Sequence, residues 1–285
     1  MSSVNINSDL GTLSSLETHS SSLKHMRIAI RHWQSSSQPS PEIKLICHGL
    51  GGHSHSVTIR PVIQESLDQG VDVLALDWPG HGCSSLQFQQ KPQLEDMMIA
   101  LDEVIKYLTN QKDYSSIHLI GHSMGSLFAI YWGIRDKSST QLISKITAMN
   151  PGFPKISTLD EWIVWIISKS PLMYGHSVLS HSLEWTDDVN QVDLRFRDPL
   201  ELKYIGDALL IPLFQARKLI LRNYHLQKIP VSIIWSPNDP IIDAQAVRKI
   251  LTHKMYSQKG DFSCPYHELC TTYLSGKQVC QQVLL

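Results

Sequence analysis

Ile117-His118-Leu119-Ile120-Gly121-His122-Ser123-Met124-Gly125-Ser126-Leu127-Phe128-Ala129-Ile130-Tyr131-Trp132 is the stretch that decides the fold. Its first four residues are the end of a short buried strand. Its last six are the first turns of a helix packed against that strand. Between them stands G-x-S-x-G, which in strand–turn–helix context is a nucleophile elbow. Glycines flank the turn because side chains there would collide with the returning helix. The serine sits in strained backbone geometry that lifts its Oγ clear of the sheet. The competing reading, an ordinary Gly-Ser turn, leaves three further motifs unexplained.

Working outward, residues 25–33 alternate polar and apolar with period two, the mark of a half-exposed strand. Ile43-Lys44-Leu45-Ile46-Cys47 is a buried strand leading into His48-Gly49-Leu50-Gly51-Gly52-His53. A helix is expected over 60–69. A second buried strand over 71–77 is closed by Trp78-Pro79-Gly80-His81-Gly82. Over 91–110, Leu94, Met97, Met98, Leu101, Val104, Ile105 and Leu108 recur at helical spacing. Strands alternating with helices through residue 150 predict an α/β fold with a mostly parallel central sheet and helices on both faces.

The pattern changes after Asn150-Pro151-Gly152. Residues 153–225 read as helical and irregular, without a clear buried strand, and the strand pattern returns at 229–235. A helical segment inserted between core strands is a cap. The expected organisation is therefore a core of 25–152 and 226–285, a cap of 153–225, and a polar, Ser-rich lead-in of 1–24 that is poorly ordered or a weak edge strand.

Composition narrows the class. The chain has 285 residues, 42% of them hydrophobic, and a formal net charge of -1, so nothing points to a nucleic-acid partner. Five cysteines, Cys47, Cys83, Cys264, Cys270 and Cys280, are scattered without metal-ligand spacing and read as reduced thiols. The N-terminus lacks the basic start and apolar core of a secretory signal, and no apolar run is long enough to span a bilayer. The expected setting is soluble and cytoplasmic.

A serine hydroxyl becomes nucleophilic when a histidine takes its proton and a carboxylate orients that histidine. With an elbow of this kind the chain order is serine, acid, histidine. Trp235-Ser236-Pro237-Asn238-Asp239-Pro240-Ile241-Ile242-Asp243 places an acidic turn just past a strand, and Asp239 is the expected acid. Asp243, four residues on, is better read as a helix cap. Of the 14 histidines, His267 in Cys264-Pro265-Tyr266-His267-Glu268-Leu269 lies on a loop past the acid and before a C-terminal helix. His253 lies too close behind Asp239, and His225 precedes it. The oxyanion hole needs two backbone N–H groups. Met124 is expected to supply one and Leu50 the other, with His48 bracing the loop.

Four blocks together, His48-Gly49-Leu50-Gly51, Asp77-Trp78-Pro79-Gly80-His81-Gly82-Cys83-Ser84, Gly121-His122-Ser123-Met124-Gly125 and Tyr266-His267-Glu268-Leu269, resemble the signatures of the monoacylglycerol lipase/lysophospholipase branch of the α/β-hydrolases. A fifth, Ser177-Val178-Leu179-Ser180 followed by 189–197 and Asp198-Pro199-Leu200, resembles that branch's cap motif. The likeness runs from about residue 25 to the C-terminus. It implies Ser123 as nucleophile, Asp239 as acid, His267 as base, and Leu50 and Met124 as oxyanion donors. Ser126 stands where many relatives carry a second glycine, and Gly52 where relatives are often acidic.

The implied activity is hydrolysis of lipid carboxylic esters, foremost monoacylglycerol, through an acyl-enzyme and without metal or organic cofactor. The alternatives are a lysophospholipase or broad carboxylesterase, a proline-iminopeptidase-like peptidase, and a non-catalytic binding relative. Dehalogenase and epoxide-hydrolase chemistry would need an aspartate at position 123. Within Leu159-Asp160-Glu161-Trp162-Ile163-Val164-Trp165-Ile166-Ile167, the side chains of Trp162, Trp165 and Ile166 are expected to contact a small lipid ester or, transiently, a membrane surface. Leu209-Leu210-Ile211-Pro212-Leu213-Phe214 could extend the same apolar wall.

Overall fold

The structure is a computed structural model that describes residues 11–20, 25–36, 40–84, 92–111, 114–135, 142–155, 176–178, 186–206, 209–260, 262–271 and 276–284. An eight-stranded sheet is its centre. The strands are β1 Thr12–Thr18, β2 Met26–Trp33, β3 Glu42–Cys47, β4 Asp72–Leu76, β5 Ser116–His122, β6 Ile143–Met149, β9 Val231–Ile234 and β10 Tyr256–Gln258, in the order β1-β2-β4-β3-β5-β6-β9-β10. The β1–β2 and β2–β4 pairs are antiparallel and every other pair is parallel. A separate two-stranded antiparallel sheet joins β7 His176–Val178 to β8 Tyr204–Gly206. These two strands fall in a stretch that shows no clear buried strand in its sequence, because three residues are too few to display an alternation.

The lead-in is not all unstructured. Thr12–Thr18 forms the edge strand β1, mostly exposed and registered along β2 from Thr12↔His32 to Thr18↔Met26.

Alternation along each strand sorts the apolar side chains into two layers. Leu45, Leu74, Leu76, Leu119, Ile146 and Ile233 point into the larger layer. There they meet α2 Leu94–Asn110, α3 Met124–Ile134, α5 Leu210–Asn223 and α6 Ala244–Ile250. Ile46, Val73, Ala75, Ile120, Met149 and Ile234 point to the other face, against α1 Arg60–Asp68 and α7 Gly276–Leu284. One more helix, α4 Val189–Arg197, lies between β7 and β8 in sequence and starts with Asp188 accepting from Asn190 N–H at 2.9 Å. Although α5 falls in the stretch expected to form the cap, it packs on α2 and α3, and its Leu213, Ala216 and Ile220 join the core.

The register places the functional loops together. Cys47 lies beside Gly121, His122 beside Met149, and Met149 beside Ile234. The loops that follow β3, β5, β6 and β9 therefore emerge side by side at the carboxyl ends of adjacent parallel strands, where open α/β sheets bind ligands.

Candidate active site

Ser123 sits at φ 50°, ψ -115°, between the last residue of β5 and the first of α3. Positive φ is unusual for a residue with a Cβ, and the surroundings hold it there. The Ser123 N–H donates to Met149 O at 2.9 Å, and its carbonyl accepts from Gly152 N–H at 2.9 Å and Ser126 N–H at 3.0 Å. A Cβ on Gly125 would collide with the carbonyls of Cys47 and His48, and one on Gly121 would run into the Gly125–Ser126 backbone. The departure at Ser126 has a use, because its hydroxyl reaches Gly121 O at 2.7 Å and Met149 O at 2.9 Å.

His267 Nε2 lies 2.8 Å from Ser123 Oγ, and its Nδ1 lies 2.7 Å from Asp239 Oδ2. The carboxylate can only accept, so Nδ1 carries the proton and Nε2 is left to accept from the serine. Asp239 Oδ1 also accepts the Ile241 N–H at 2.8 Å, and Oδ2 accepts the Asn150 amide at 3.0 Å. Burial works to raise the Asp239 carboxyl, but the facing His267 imidazole and these hydrogen bonds outweigh it and hold its pKa below the usual range. Asp243 instead caps α6, accepting from Gln245 N–H at 3.0 Å, and pairs with Arg217 at 2.9 Å. His253 packs against Tyr224 and Tyr256, and His225 against Tyr224.

Leu50 and Met124 both line the cavity over Ser123. Among the described residues, neither N–H donates to another group of the chain. Gly152 keeps the Met124 nitrogen open, since a Cβ there would stand 2.9 Å from it. His48 fastens the neighbouring loop. Its Nε2 accepts the Trp78 N–H at 3.2 Å, so its Nδ1 donates to Gly49 O at 2.7 Å. Burial drives the His48 pKa down to about 3, so the ring stays neutral.

The cavity has a volume of about 230 Å³. Leu50, Pro154, Leu210, Leu213, Phe214 and Ile241 form apolar wall, while Arg195 and Glu268 form a charged end. Leu210, Leu213 and Phe214 come from the run expected to extend the apolar wall. Trp162, Trp165 and Ile166 lie outside the described residues.

Several residues near the site carried no role in the sequence reading. Arg195 on α4 is 4% exposed and is held between Glu268 and Glu201, themselves 2% and 3% exposed. Burial opposes the charge on Arg195, but the two carboxylates outweigh it and raise its pKa. Burial pushes the Glu268 carboxyl up against the pull of Arg195. Nothing local in the sequence marks Arg195 as buried, because on its helix even the apolar Val189, Leu194 and Phe196 are exposed. Asp198, in the stretch that resembles a cap motif, meets His53 of the loop after β3 at 3.0 Å. Among the described residues, no group of three or more His, Cys, Asp or Glu is placed to hold a metal ion, and no helix is long and apolar enough to cross a membrane.

Residues 39–269 match the Hydrolase_4 family, described as serine aminopeptidase, S33. A stretch of 113 residues is 28% identical to the probable lysophospholipase L2 of Haemophilus influenzae, covering 38% of this chain and 35% of that protein. Another of 88 residues is 32% identical to the pancreatic triacylglycerol lipase of Cavia porcellus, covering 30% of this chain and 18% of that one. The chain therefore spans well under two thirds of the curated relatives it matches. Among solved structures, the monoacylglycerol lipase of Paleococcus ferrophilus superposes with a TM-score of 0.76 at 22% identity, over 90% of this chain and 96% of that one. A soluble variant of the monoglyceride lipase of Saccharomyces cerevisiae gives 0.76 at 15% identity, over 95% and 93%. At these identities the likeness to the solved structures is one of fold.

Proposed function

The chain belongs to the Hydrolase_4 family and has the α/β-hydrolase fold, and from that premise we propose that it is a serine hydrolase of lipid carboxylic esters, with monoacylglycerol as the foremost substrate. The observation that carries this reading is the unbroken line from Asp239 through His267 to Ser123 Oγ, at 2.7 and 2.8 Å, opening into a largely apolar cavity.

In the proposed reaction His267 Nε2 takes the Ser123 proton as Oγ attacks the ester carbonyl. The negative charge developing on the carbonyl oxygen is met by the Leu50 and Met124 N–H groups. Collapse of the tetrahedral intermediate breaks the bond to the alcohol, which leaves with the proton from His267. Water then loses a proton to the same imidazole and attacks the acyl-enzyme, releasing the fatty acid and restoring Ser123. Asp239 holds the imidazole in the tautomer needed and stabilises its positive form. The apolar wall of Leu210, Leu213, Phe214 and Ile241 suits the acyl chain. In this reading the part of 153–225 that precedes α5 supplies the cap, and exposed Val189 and Phe196 on α4, at 65% and 67%, suit a transient contact with a lipid surface.

Peptidase chemistry, which the family description brings in, would need a carboxylate ready to take the substrate's amine. Glu268 faces the cavity, but Arg195 already engages it, which favours an ester over an aminopeptide. A lysophospholipase uses the same machinery and is the second reading, supported by the partial match to the Haemophilus protein.

Release of oleate from 1-oleoylglycerol and oleoyl-lysophosphatidylcholine, and of p-nitrophenol from p-nitrophenyl acetate, with an aminoacyl p-nitroanilide alongside, tests the proposal in wild type and Ser123→Ala. Oleoylglycerol turnover that disappears in the variant is the expected result. Cleavage of the anilide alone would replace the ester reading with a peptidase, and turnover unchanged in Ser123→Ala would remove the nucleophile.

A further inference from the structure

The cap stretch from Arg195 to Leu202 grips both reactive loops of the core. On one side, Arg195 Nη1 donates to Glu268, the residue that follows His267. On the other, Leu202 N–H donates to Gly51 O at 2.8 Å, next to Leu50. His53 makes a second tie to the oxyanion loop. Its Nδ1 accepts the His55 N–H at 3.2 Å, so its Nε2 carries the proton donated to Asp198 Oδ2 at 3.0 Å. Glu201 joins the two sides, accepting from Ser56 Oγ with one oxygen and from Arg195 Nη2 at 3.3 Å with the other. Lys203 Nζ folds back onto Asp198 O at 2.9 Å and onto Arg195 O, closing the stretch on itself.

The contacts of Arg195 with Glu268 and Glu201 are buried, charge-assisted and geometrically specific. A guanidinium is a planar fork whose donors point in set directions. Holding it between two carboxylates fixes the position of each relative to the other. Glu268 is thereby tied through Arg195 and Glu201 to Ser56, within the segment that follows the oxyanion loop. Such a buried ionic cluster adds little net stability over an apolar replacement, so its geometry is the property left to explain it.

We propose that Arg195, with Glu268 and Glu201, forms a positioning brace that sets the loop of His267 in register with the oxyanion loop, so that seating the cap completes the reactive geometry. This rests on the assignment of Ser123 and His267 made above. Arg195 acts through Glu268 and is a positioning residue. The proposal differs from a substrate contact because its effect extends to esters too short to touch the cap.

The test uses the full chain as wild type, Arg195→Met, Arg195→Lys and Glu268→Gln. Active sites are counted by end-point labelling with a fluorophosphonate, and kcat and KM are measured on p-nitrophenyl acetate and on a long-chain p-nitrophenyl ester. A misplacement of reacting groups on the order of 1 Å is enough to lower rate roughly 10- to 100-fold. The expected result is a kcat per titrated site lowered on that scale in Arg195→Met, little change in KM, and partial recovery in Arg195→Lys. An unchanged kcat per titrated site, with only a lower Tm, would overturn the proposal by making the cluster purely structural. A loss confined to long-chain esters would overturn it by making Arg195 a substrate contact. If Arg195→Met does not fold, Glu268→Gln, which keeps the shape of the side chain, answers the same question. If wild type is labelled by the fluorophosphonate yet cleaves no ester, the functional reading fails on its own. The labelling rate then decides the brace: slower labelling of the variants supports it, and equal rates overturn it.

Discussion

Asn150 donates its side-chain amide to Asp239 Oδ2 at 3.0 Å, from a backbone at φ 43° whose own N–H donates to Ile234 O at 2.7 Å. One residue after β6 thus joins the end of β9 to the acid that follows it. Asparagine is among the few side chains that accept this backbone readily. The amide also leaves Asp239 Oδ2 with two donors, Asn150 and His267, so the carboxylate cannot rotate away from the imidazole without losing both.

Asn150→Gly keeps the positive φ accessible and removes only the donor. A hydrogen bond to a charged group contributes about 1.5–3 kcal/mol, so kcat on a short ester should fall about tenfold or more with the protein still folded. Steady-state kinetics beside a thermal melt check this, and an unchanged kcat would remove Asn150 from the machinery.

Asp239→Asn tests the tautomer. The amide nitrogen can donate to Nδ1, which moves the imidazole proton to Nε2, where it can no longer accept from Ser123. A fall in kcat of about 10⁴-fold is expected, read on p-nitrophenyl acetate with KM measured alongside. A loss of less than tenfold would mean that another group orients His267.

Gly152→Ala tests the oxyanion assignment. The added methyl would stand 2.8 Å from the Ser123 carbonyl carbon and 2.9 Å from the Met124 nitrogen. Blocking one donor of such a hole lowers kcat by roughly 10²–10³-fold. The loss should appear in kcat for short and long esters alike. Wild-type turnover in this variant would argue against Met124 as a donor.

Acid should destabilise the fold well before the carboxylates titrate. Burial lowers His48 and His81 from 6.5 to about 3, and drives His118 and His122 well below 6.5. Below pH 6.5 the unfolded chain binds protons that the folded one refuses, so stability is full above that pH and falls as pH drops. Each such histidine removes about 1.4 kcal/mol per pH unit until the folded group titrates. For His48 and His81 that lies near pH 3. Asp239, with a depressed pKa, adds a loss of the same sign, beginning only below the usual carboxylate pKa of about 4. Urea midpoints at pH 7.5, 6.5 and 5.5 should fall steeply over the lower interval, and a flat series would contradict the burial of these rings.

Much of the scaffold was legible because its signals are local. The period-two run His25 to Trp33, the buried-strand run Ile43 to Cys47 and the helical spacing of Leu94 to Leu108 each follow from how one element meets the core layers beside it. The elbow was equally local, since strand, turn and helix are contiguous there. Chain order then singled out Asp239 and His267, and the fold brings His267 within hydrogen-bond reach of both Asp239 and Ser123. Elements of only a few residues, β7, β8 and β10, left no pattern long enough to read, and the exposed edge strand β1 was one of two readings of its segment.

The sequence by itself determined the order of the core elements, the elbow, and the residue types able to perform nucleophilic hydrolase chemistry, because each is written in neighbouring residues. Only the tertiary structure decided which groups surround that chemistry. Arg195 meets Glu268 across 73 positions, Asn150 meets Asp239 across 89, and His53 meets Asp198 across 145. Such pairs depend on how the parallel strands align their ends and how α4 and the loops beside it pack against them. No local periodicity encodes a contact between loops that become neighbours only when the sheet has formed.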